Sequence, residues 1–488
     1  MAYISTRNYT IRRTPSEAIV EGLAPDGGLY LPESFPLFPM ENLMGMSGVD
    51  ISVEVLSLLL DDFSKEELEL LVHSAYDTSF ENGEIAPLKA VEDYYIMELW
   101  HGPTCAFKDV ALQLLPYLLT TAAKKCGVKD EICILTATSG DTGSAALAGF
   151  SEVDGTRIIV FYPNGGVSPM QKRQMVTCSG KNTSVCAIKG NFDDAQSGVK
   201  KIFSEQTAPD GMRFSSANSI NIGRLAPQIA YYFTAYRDLV KANRIDFGEL
   251  VNFVVPTGNF GDILAGYFAK KMGLPIGMLV SASNENRVLA DFFESGIYDR
   301  RREFCLTSSP SMDILISSNL ERLIAMACGE ENTARYMKEL RENGVYQIEQ
   351  TELEKIRAEF SAAWVSEEET SKTIRSLFES TGYLVDTHTA VGVCAMKKWN
   401  LTSPEYQNTP TVVLSTASPY KFTRHVLEAL GEVVGQDEFA DVKRLESVSG
   451  VPIPVSLSAL ENATVYHKDV VDINDMANYV MKKTQEVL

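Results

Sequence analysis

Nowhere among its 488 residues does this sequence run about eighteen apolar positions together, so no segment reads as a membrane-spanning helix. Its eight cysteines form no CxxC pair and no Cys/His cluster at ligand spacing. That excludes the common zinc and thiol-redox motifs, and no metal is expected. Scattered thiols fit a reducing compartment, with Cys105, Cys133 and Cys186 as core or loop fillers. Positive charge is scarce: 44 Lys and Arg against 64 Asp and Glu give a formal net charge of −20. A field of that sign disfavours nucleic acid and anionic membranes, so neither is an expected partner. It also means that any anionic ligand must be held by local donors. The opening MAYISTRNYT lacks the apolar stretch of a signal peptide, and a cytoplasmic location is expected. Internal repeats and low-complexity tracts are absent.

What is present reads as a large globular α/β chain, 45% hydrophobic and 22% charged. Residues 1–95 read as a separate, mostly helical layer. Helical periodicity covers Ile51–Leu60 and Lys65–Tyr76, with Ser64 and Glu67 spaced as a capping box. From Tyr94 onward strands alternate with helices. Strands are expected at Tyr94–Leu99, Glu131–Thr136, Arg157–Tyr162, Thr183–Ile188, Val251–Val255, Met278–Ser281 and Val412–Leu414. This βαβ order implies mainly parallel sheets with covered faces. The middle region to about Phe378 reads as helical and charged, and a final helix is expected near Ile473–Lys483.

Several loops then fall at strand ends that border the ligand crevice of an open α/β sheet. Pro256–Asp262, PTGNFGD, puts two glycines at a helix start, where free amides and the helix dipole favour a phosphate. It has neither the Lys-Ser/Thr of a Walker loop nor GxGxxG spacing, and alone it also fits an ordinary βα turn. Ala137–Gly143, ATSGDTG, offers Thr138, Ser139, Thr142 and amides to a carboxylate. Asp141 is an odd guest there, better suited to accept from a hydroxyl or an imine. Lys172, Arg173 and Arg224 could meet a second phosphate, with Asn218, Ser219 and Asn221 as neutral donors. His388, in DTHT, reads as a hydrogen-bonded structural residue rather than a ligand.

Trp100–Val110, WHGPTCAFKDV, sits between a buried strand and a helix over Val110–Lys125 in which Pro116 predicts a kink. Lys108 falls at the helix entrance, where amide dipoles oppose a cation. A desolvated lysine near positive potential loses its proton easily, as an amine that attacks carbonyls must.

HGPTCAFKD, ATSGDTG and PTGNFGD, in this order, resemble the signatures of the threonine synthase family, in the tryptophan-synthase-β-like group of pyridoxal-phosphate enzymes. ISTRN with GLAPDGGLYLP, NFDDA and STASPYKF extend the resemblance over nearly the whole chain. It implies a fold-type-II α/β enzyme with open, mainly parallel sheets in two subdomains. The expected division is an N-terminal region 1–95, a catalytic core 96–430 with a mobile part at about 125–220, and a C-terminal segment 431–488. The resemblance implies pyridoxal phosphate bound covalently to Lys108. Gly258, Asn259, Phe260, Gly261 and Asp262 would cradle its phosphate, Asp141 would face its 3-hydroxyl and Thr416 its pyridine nitrogen. Thr138, Ser139 and Thr142 would take the substrate carboxylate, and Lys172, Asn218, Ser219, Asn221 and Arg224 the substrate phosphate. The implied reaction turns O-phospho-L-homoserine and water into L-threonine and phosphate, in a monomer or homodimer. Cys105 departs from the family pattern, which has an aromatic residue there. Three other readings share the motifs: a phospho-lyase giving 2-oxobutyrate, a serine or threonine deaminase, and a silent binding protein.

Overall fold

Two parallel sheets organise the chain in the computed structural model, which describes residues 1–80 and 83–486. The first runs in the order Phe360–Trp364, Ile276–Ser283, Val251–Pro256, Thr411–Ser415, Tyr94–Glu98, Leu88–Val91. Every neighbouring pair is parallel except the last. The second runs Asp469–Asp472, Thr183–Lys189, Thr156–Pro163, Glu131–Ala137, Met212–Ser215 and is parallel throughout. Every residue of VNFVVP at Val251–Pro256 and of TRIIVFYP at Thr156–Pro163 is buried. Continuous runs rich in β-branched residues suit strands covered on both faces.

The first 95 residues are less helical than expected. Tyr3–Ser5, Asn8–Arg13 and Tyr30–Pro32 form a three-stranded antiparallel sheet beside the helices Gly48–Leu59 and Lys65–Tyr76. Three-residue strands leave little periodicity to read. Ser64 and Glu67 do close a capping box. Strand Tyr94–Glu98 straddles residue 95 because its backbone pairs within the first sheet. The region expected to be helical as far as Phe378 also contains the edge strand Phe360–Trp364. The C-terminal segment contributes Asp469–Asp472 to the second sheet and a helix at Met476–Gln485. Val487 and Leu488, at its end, lie outside the described residues.

The Lys108–Lys125 helix runs on through Pro116 without a break. Pro116 has no N–H to give the Leu112 carbonyl one turn back. The Asp141–Phe150 helix packs against that carbonyl at Gly149, where any side chain would collide with it. The missing hydrogen bond thus marks a close helix crossing.

Candidate active site

The loops that leave the C-terminal ends of the strands converge on Lys108. Backbone bonds set the register. Phe107 N–H donates to the Thr416 carbonyl at 2.8 Å, Ser418 N–H to the Cys105 carbonyl at 3.1 Å, and Ala106 bridges Ala417. The stretch that carries Lys108 is therefore zipped to the one that carries Thr416, which is buried. Lys108 opens its helix behind Phe107, with no side-chain cap.

The Lys108 amine meets Asp141 Oδ2 at 3.3 Å and Ser311 Oγ at 3.2 Å. Burial pushes its pKa down; Asp141 pulls it back up, and Lys421 and Arg224 push it down further. The net direction is down, chiefly from burial. Asp141 is the hub of the cluster. Lys421 Nζ reaches its Oδ1 at 2.8 Å, Gln171 Nε2 donates to Oδ1 at 2.9 Å and Ser311 Oγ donates to Oδ2 at 3.0 Å. Burial would raise this carboxyl, but Lys421 and then Lys108 outweigh it and hold Asp141 well below the usual range.

The glycine loop has the form of an anion cradle. Its carbonyls point outward: Ser317 Oγ donates to Gly258 O at 2.7 Å, and both the backbone and side chain of Asn319 donate to Asn259 O at 3.0 Å. The amides of residues 258–261 have no acceptor among the described residues. Gly258 tolerates no side chain, since a Cβ would stand 2.7 Å from the Ser311 carbonyl. Phe260 adopts φ +64°, a left-handed conformation unusual for a residue with a side chain, and its ring packs on Phe293 and Phe360. Four free amides at a helix N-terminus fit a phosphate, and the buried amine beside them fits an aldehyde. The residues present therefore suit pyridoxal phosphate.

Other expected residues divide. Arg224 is 4% exposed; it donates to the Ala217 carbonyl at 2.8 Å, its Nε has no partner, and no carboxylate pairs with it among the described residues. Burial lowers its pKa to about 10, which leaves it cationic at neutral pH. It also acts electrostatically on Lys108. Ser219 Oγ accepts from Asn319 at 3.2 Å beside the glycine loop, and Asn218 is exposed nearby. Ser139, in the loop that ends at Asp141, and Thr142, in the first turn of the helix that follows, are half-buried.

Four of the expected residues are engaged within the protein or face elsewhere. Asn221 is spent on structure: it caps the Ile222–Lys241 helix through Gly223 N–H at 2.9 Å and donates to Ile19 O at 2.9 Å. Thr138 Oγ1 accepts Gly140 and Gly143 N–H, both at 2.9 Å, so it shapes the loop. Lys172 is exposed and lines a surface cavity of about 380 Å³ with Arg173, Val176 and Val465. Gln171, on another face of the same helix, is the residue that reaches Asp141. The Asp262 side chain turns from the cradle to the hydroxyls of Tyr231 and Tyr232.

Three participants escaped the sequence reading. Lys421, wholly buried, lies within STASPYKF, where only Thr416 was singled out. Ser311 comes from a loop with little periodicity, between Arg302 and Ser317; the signal was its turn-forming SSPS. Gln171 lay beside the lysine that drew attention. His388 is buried and hydrogen-bonded, as expected, and it links Asp386 on one ring nitrogen to the backbone of Ser311 on the other.

Comparison with known proteins decides the family. A model described as "Pyridoxal-phosphate dependent enzyme" matches residues 84–416, flanked by "Threonine synthase N terminus" at 2–76 and "Threonine synthase, C-terminal" at 389–464. Threonine synthase of Saccharomyces cerevisiae is 39% identical over 88% of this chain and 89% of its own length. The chain belongs to the threonine synthase family. The crystal structure of pyridoxal-phosphate-bound threonine synthase from Brucella melitensis matches with a TM-score of 0.87, 38% identity and full coverage of both chains. "Threonine synthase-like 1" of Macaca fascicularis is 37% identical over 96% of this chain, which spans 66% of that protein. The family assignment makes this protein a fold-type-II pyridoxal-phosphate enzyme. Among the described residues no helix is long and apolar enough to cross a membrane, and no cluster suits a metal ion.

Proposed function

We propose that the protein converts O-phospho-L-homoserine and water to L-threonine and phosphate, with Lys108 as its catalytic base and acid. The observation that carries this reading is the pairing of two anion sites with one desolvated lysine. The free amides at 258–261 suit the cofactor phosphate, and Arg224, buried without a carboxylate, suits the phosphate of the substrate. A deaminase acting on an unphosphorylated amino acid has no use for the second site.

Pyridoxal phosphate, when bound, supplies an electron sink that stabilises negative charge on the carbons of a bound amino acid. The chain supplies the rest. Lys108 Nζ takes the α-proton and later returns protons, which its lowered pKa favours. Thr416 would offer a hydroxyl to the cofactor's ring nitrogen, which unlike a carboxylate would not enforce protonation there, and Asp141 would face its 3-hydroxyl while Lys421 balances the charge of that carboxylate. Ser139 and Thr142, in a loop and helix start braced by Thr138, orient the substrate carboxylate. Ser219 and Asn218 assist Arg224. The second sheet, with the part at about 125–220, closes on the first and keeps water out until it is needed. The N-terminal region to about residue 95 and the segment 431–488 brace this core.

The phospho-lyase alternative would use the same residues, and the threonine synthases among the relatives favour the synthase. The test is a product balance from O-phospho-L-homoserine alone. Equal phosphate and threonine, both lost in Lys108→Ala, is the expected result. Phosphate matched by 2-oxobutyrate would overturn the synthase reading, and no phosphate would overturn the substrate.

A further inference from the structure

A neutral amine has two N–H bonds and one lone pair. In this site both N–H bonds have acceptors, Asp141 Oδ2 at 3.3 Å and Ser311 Oγ at 3.2 Å. With both engaged, the direction of the lone pair is fixed. Asp141 alone would leave the amine free to turn about the Cε–Nζ bond. A reacting amine with a fixed lone pair starts nearer the geometry of attack or proton transfer. The Ser311 hydroxyl is polarised for this task. Its proton goes to Asp141 Oδ2 at 3.0 Å, which leaves its oxygen lone pairs to face Lys108.

Ser311 is itself held by an unusual anchor. Its backbone N–H donates to His388 Nε2 at 3.2 Å. An imidazole nitrogen accepts only when it carries no proton, so this bond places the proton on Nδ1. Asp386 Oδ2 lies 2.7 Å from Nδ1 and takes it. Asp386 is wholly buried and also accepts the backbone N–H groups of His388 and Thr389 as the cap of the Thr387–Thr402 helix. The neighbouring Thr387 Oγ1 donates to Ser308 O at 2.8 Å, so one helix turn grips the Ser311 loop at two points. The His388 ring rests on Phe422, next to the Lys421 that pairs with Asp141. Had Ser311 no role, a buried Asp–His pair spent on its amide would be a costly way to hold a surface turn.

We infer that Ser311 is a further catalytic residue, aiming the lone pair of Lys108 together with Asp141, and that His388, fixed by Asp386, is its positioning residue. The inference rests on Lys108 being the reactive amine, but not on the identity of the substrate.

The test follows cofactor attachment. Cofactor-free protein is mixed with pyridoxal phosphate, and the absorbance of the lysine-linked form is read against time. Ser311→Ala is expected to slow attachment on the order of tenfold, the effect of one oriented hydrogen bond on a reacting group. His388→Leu should do the same. His388→Gln, whose amide oxygen can accept the Ser311 N–H, should stay within about twofold of the parent. Because the two residues act in series, Ser311→Ala with His388→Leu should be no slower than Ser311→Ala alone. Affinity for pyridoxine 5′-phosphate, which has the phosphate but no aldehyde, should be unchanged in Ser311→Ala. Parent-like attachment in Ser311→Ala would overturn the inference. So would His388→Gln as slow as His388→Leu, or factors that multiply in the double variant. If His388→Leu does not fold, Ser311→Ala and His388→Gln decide the matter. Attachment that persists in Lys108→Ala would instead refute the assignment of the lysine.

Discussion

Replacing Lys421 with Met tests the electrostatics of the site most directly. The side chain is 0% exposed, and its amine is shared between Asp141 Oδ1 and the Thr104 carbonyl, both at 2.8 Å. Met fills much of the same apolar volume but removes the charge. Two effects follow. Asp141 remains buried with Lys108 as its remaining cation, and breaking a buried pair by removing one partner costs about 3–5 kcal/mol. Lys108 also loses a repulsive neighbour. Lys421 pushes the Lys108 pKa down, so its removal moves that pKa up and leaves less neutral amine at a given pH. Lys108 stays 3.3 Å from Asp141 Oδ2, so the carboxylate keeps one of the two cations that hold its pKa down. Urea unfolding should show the loss of stability. The rate of cofactor attachment, measured as a function of pH, should show its acid limb displaced to higher pH, with about a tenfold lower rate per unit of displacement below the limb. Unchanged stability, or a limb displaced to lower pH, would refute this account.

Other outcomes separate the remaining assignments. Arg224→Met should raise KM for O-phospho-L-homoserine by roughly tenfold or more, as loss of a charge-assisted contact does, whereas Lys172→Ala should leave KM unchanged; steady-state phosphate release measures both. Gly149→Ala should cost about 1–3 kcal/mol in urea unfolding, because the added methyl meets the Leu112 carbonyl at the helix crossing. Asp262 gives a pH signature. Burial raises its pKa to about 7, above that of the unfolded chain, so the stability it contributes is complete below about pH 4 and is lost as pH rises to about 7. The slope is about 1.4 kcal/mol per pH unit, and Asp262→Asn should flatten it when unfolding midpoints are compared across that interval. An unaltered slope would place the titration elsewhere.

The strands and site loops were legible because each is a local pattern. Val251–Pro256 announces itself by six buried positions in a row, and the loop after it by its glycines beside a helix start. The three-residue strands at Tyr3–Ser5 and Tyr30–Pro32 have no such signal, since they pair with each other across more than twenty residues. The same limit governs the side chains. Asn221 and Arg224 lie three residues apart and looked alike as donors for a phosphate. Only the fold shows that Asn221 caps a helix while Arg224 remains without an anion. Lys172 and Gln171 are adjacent, yet helix geometry sends one to a surface cavity and the other to Asp141.

Charge pairing across distant segments explains how an acidic protein makes room for two phosphates. Lys108, Lys421 and Arg224 come from three separate stretches, and all are withdrawn from solvent. Asp141 is paired with the first two and leaves the third unmatched. Asp262 lies in the first turn of the glycine-loop helix, where an ionised carboxylate would repel a bound phosphate. Burial raises its pKa, only partly offset by the hydrogen bonds from Tyr231 and Tyr232, which weakens that repulsion, and its side chain turns away from the free amides. A net charge of −20 is thus compatible with anion binding because the acidic groups nearest the cradle are either paired with a buried lysine or held close to their neutral form. Exposed lysines on the same loops would act through water and be screened within about 10 Å; cations buried out of water keep their reach. On this reasoning Arg224, rather than any surface lysine, governs substrate binding, and its contribution resists screening: Arg224→Met should weaken binding by a similar factor at low and at high ionic strength, while Lys172→Ala should leave binding unchanged.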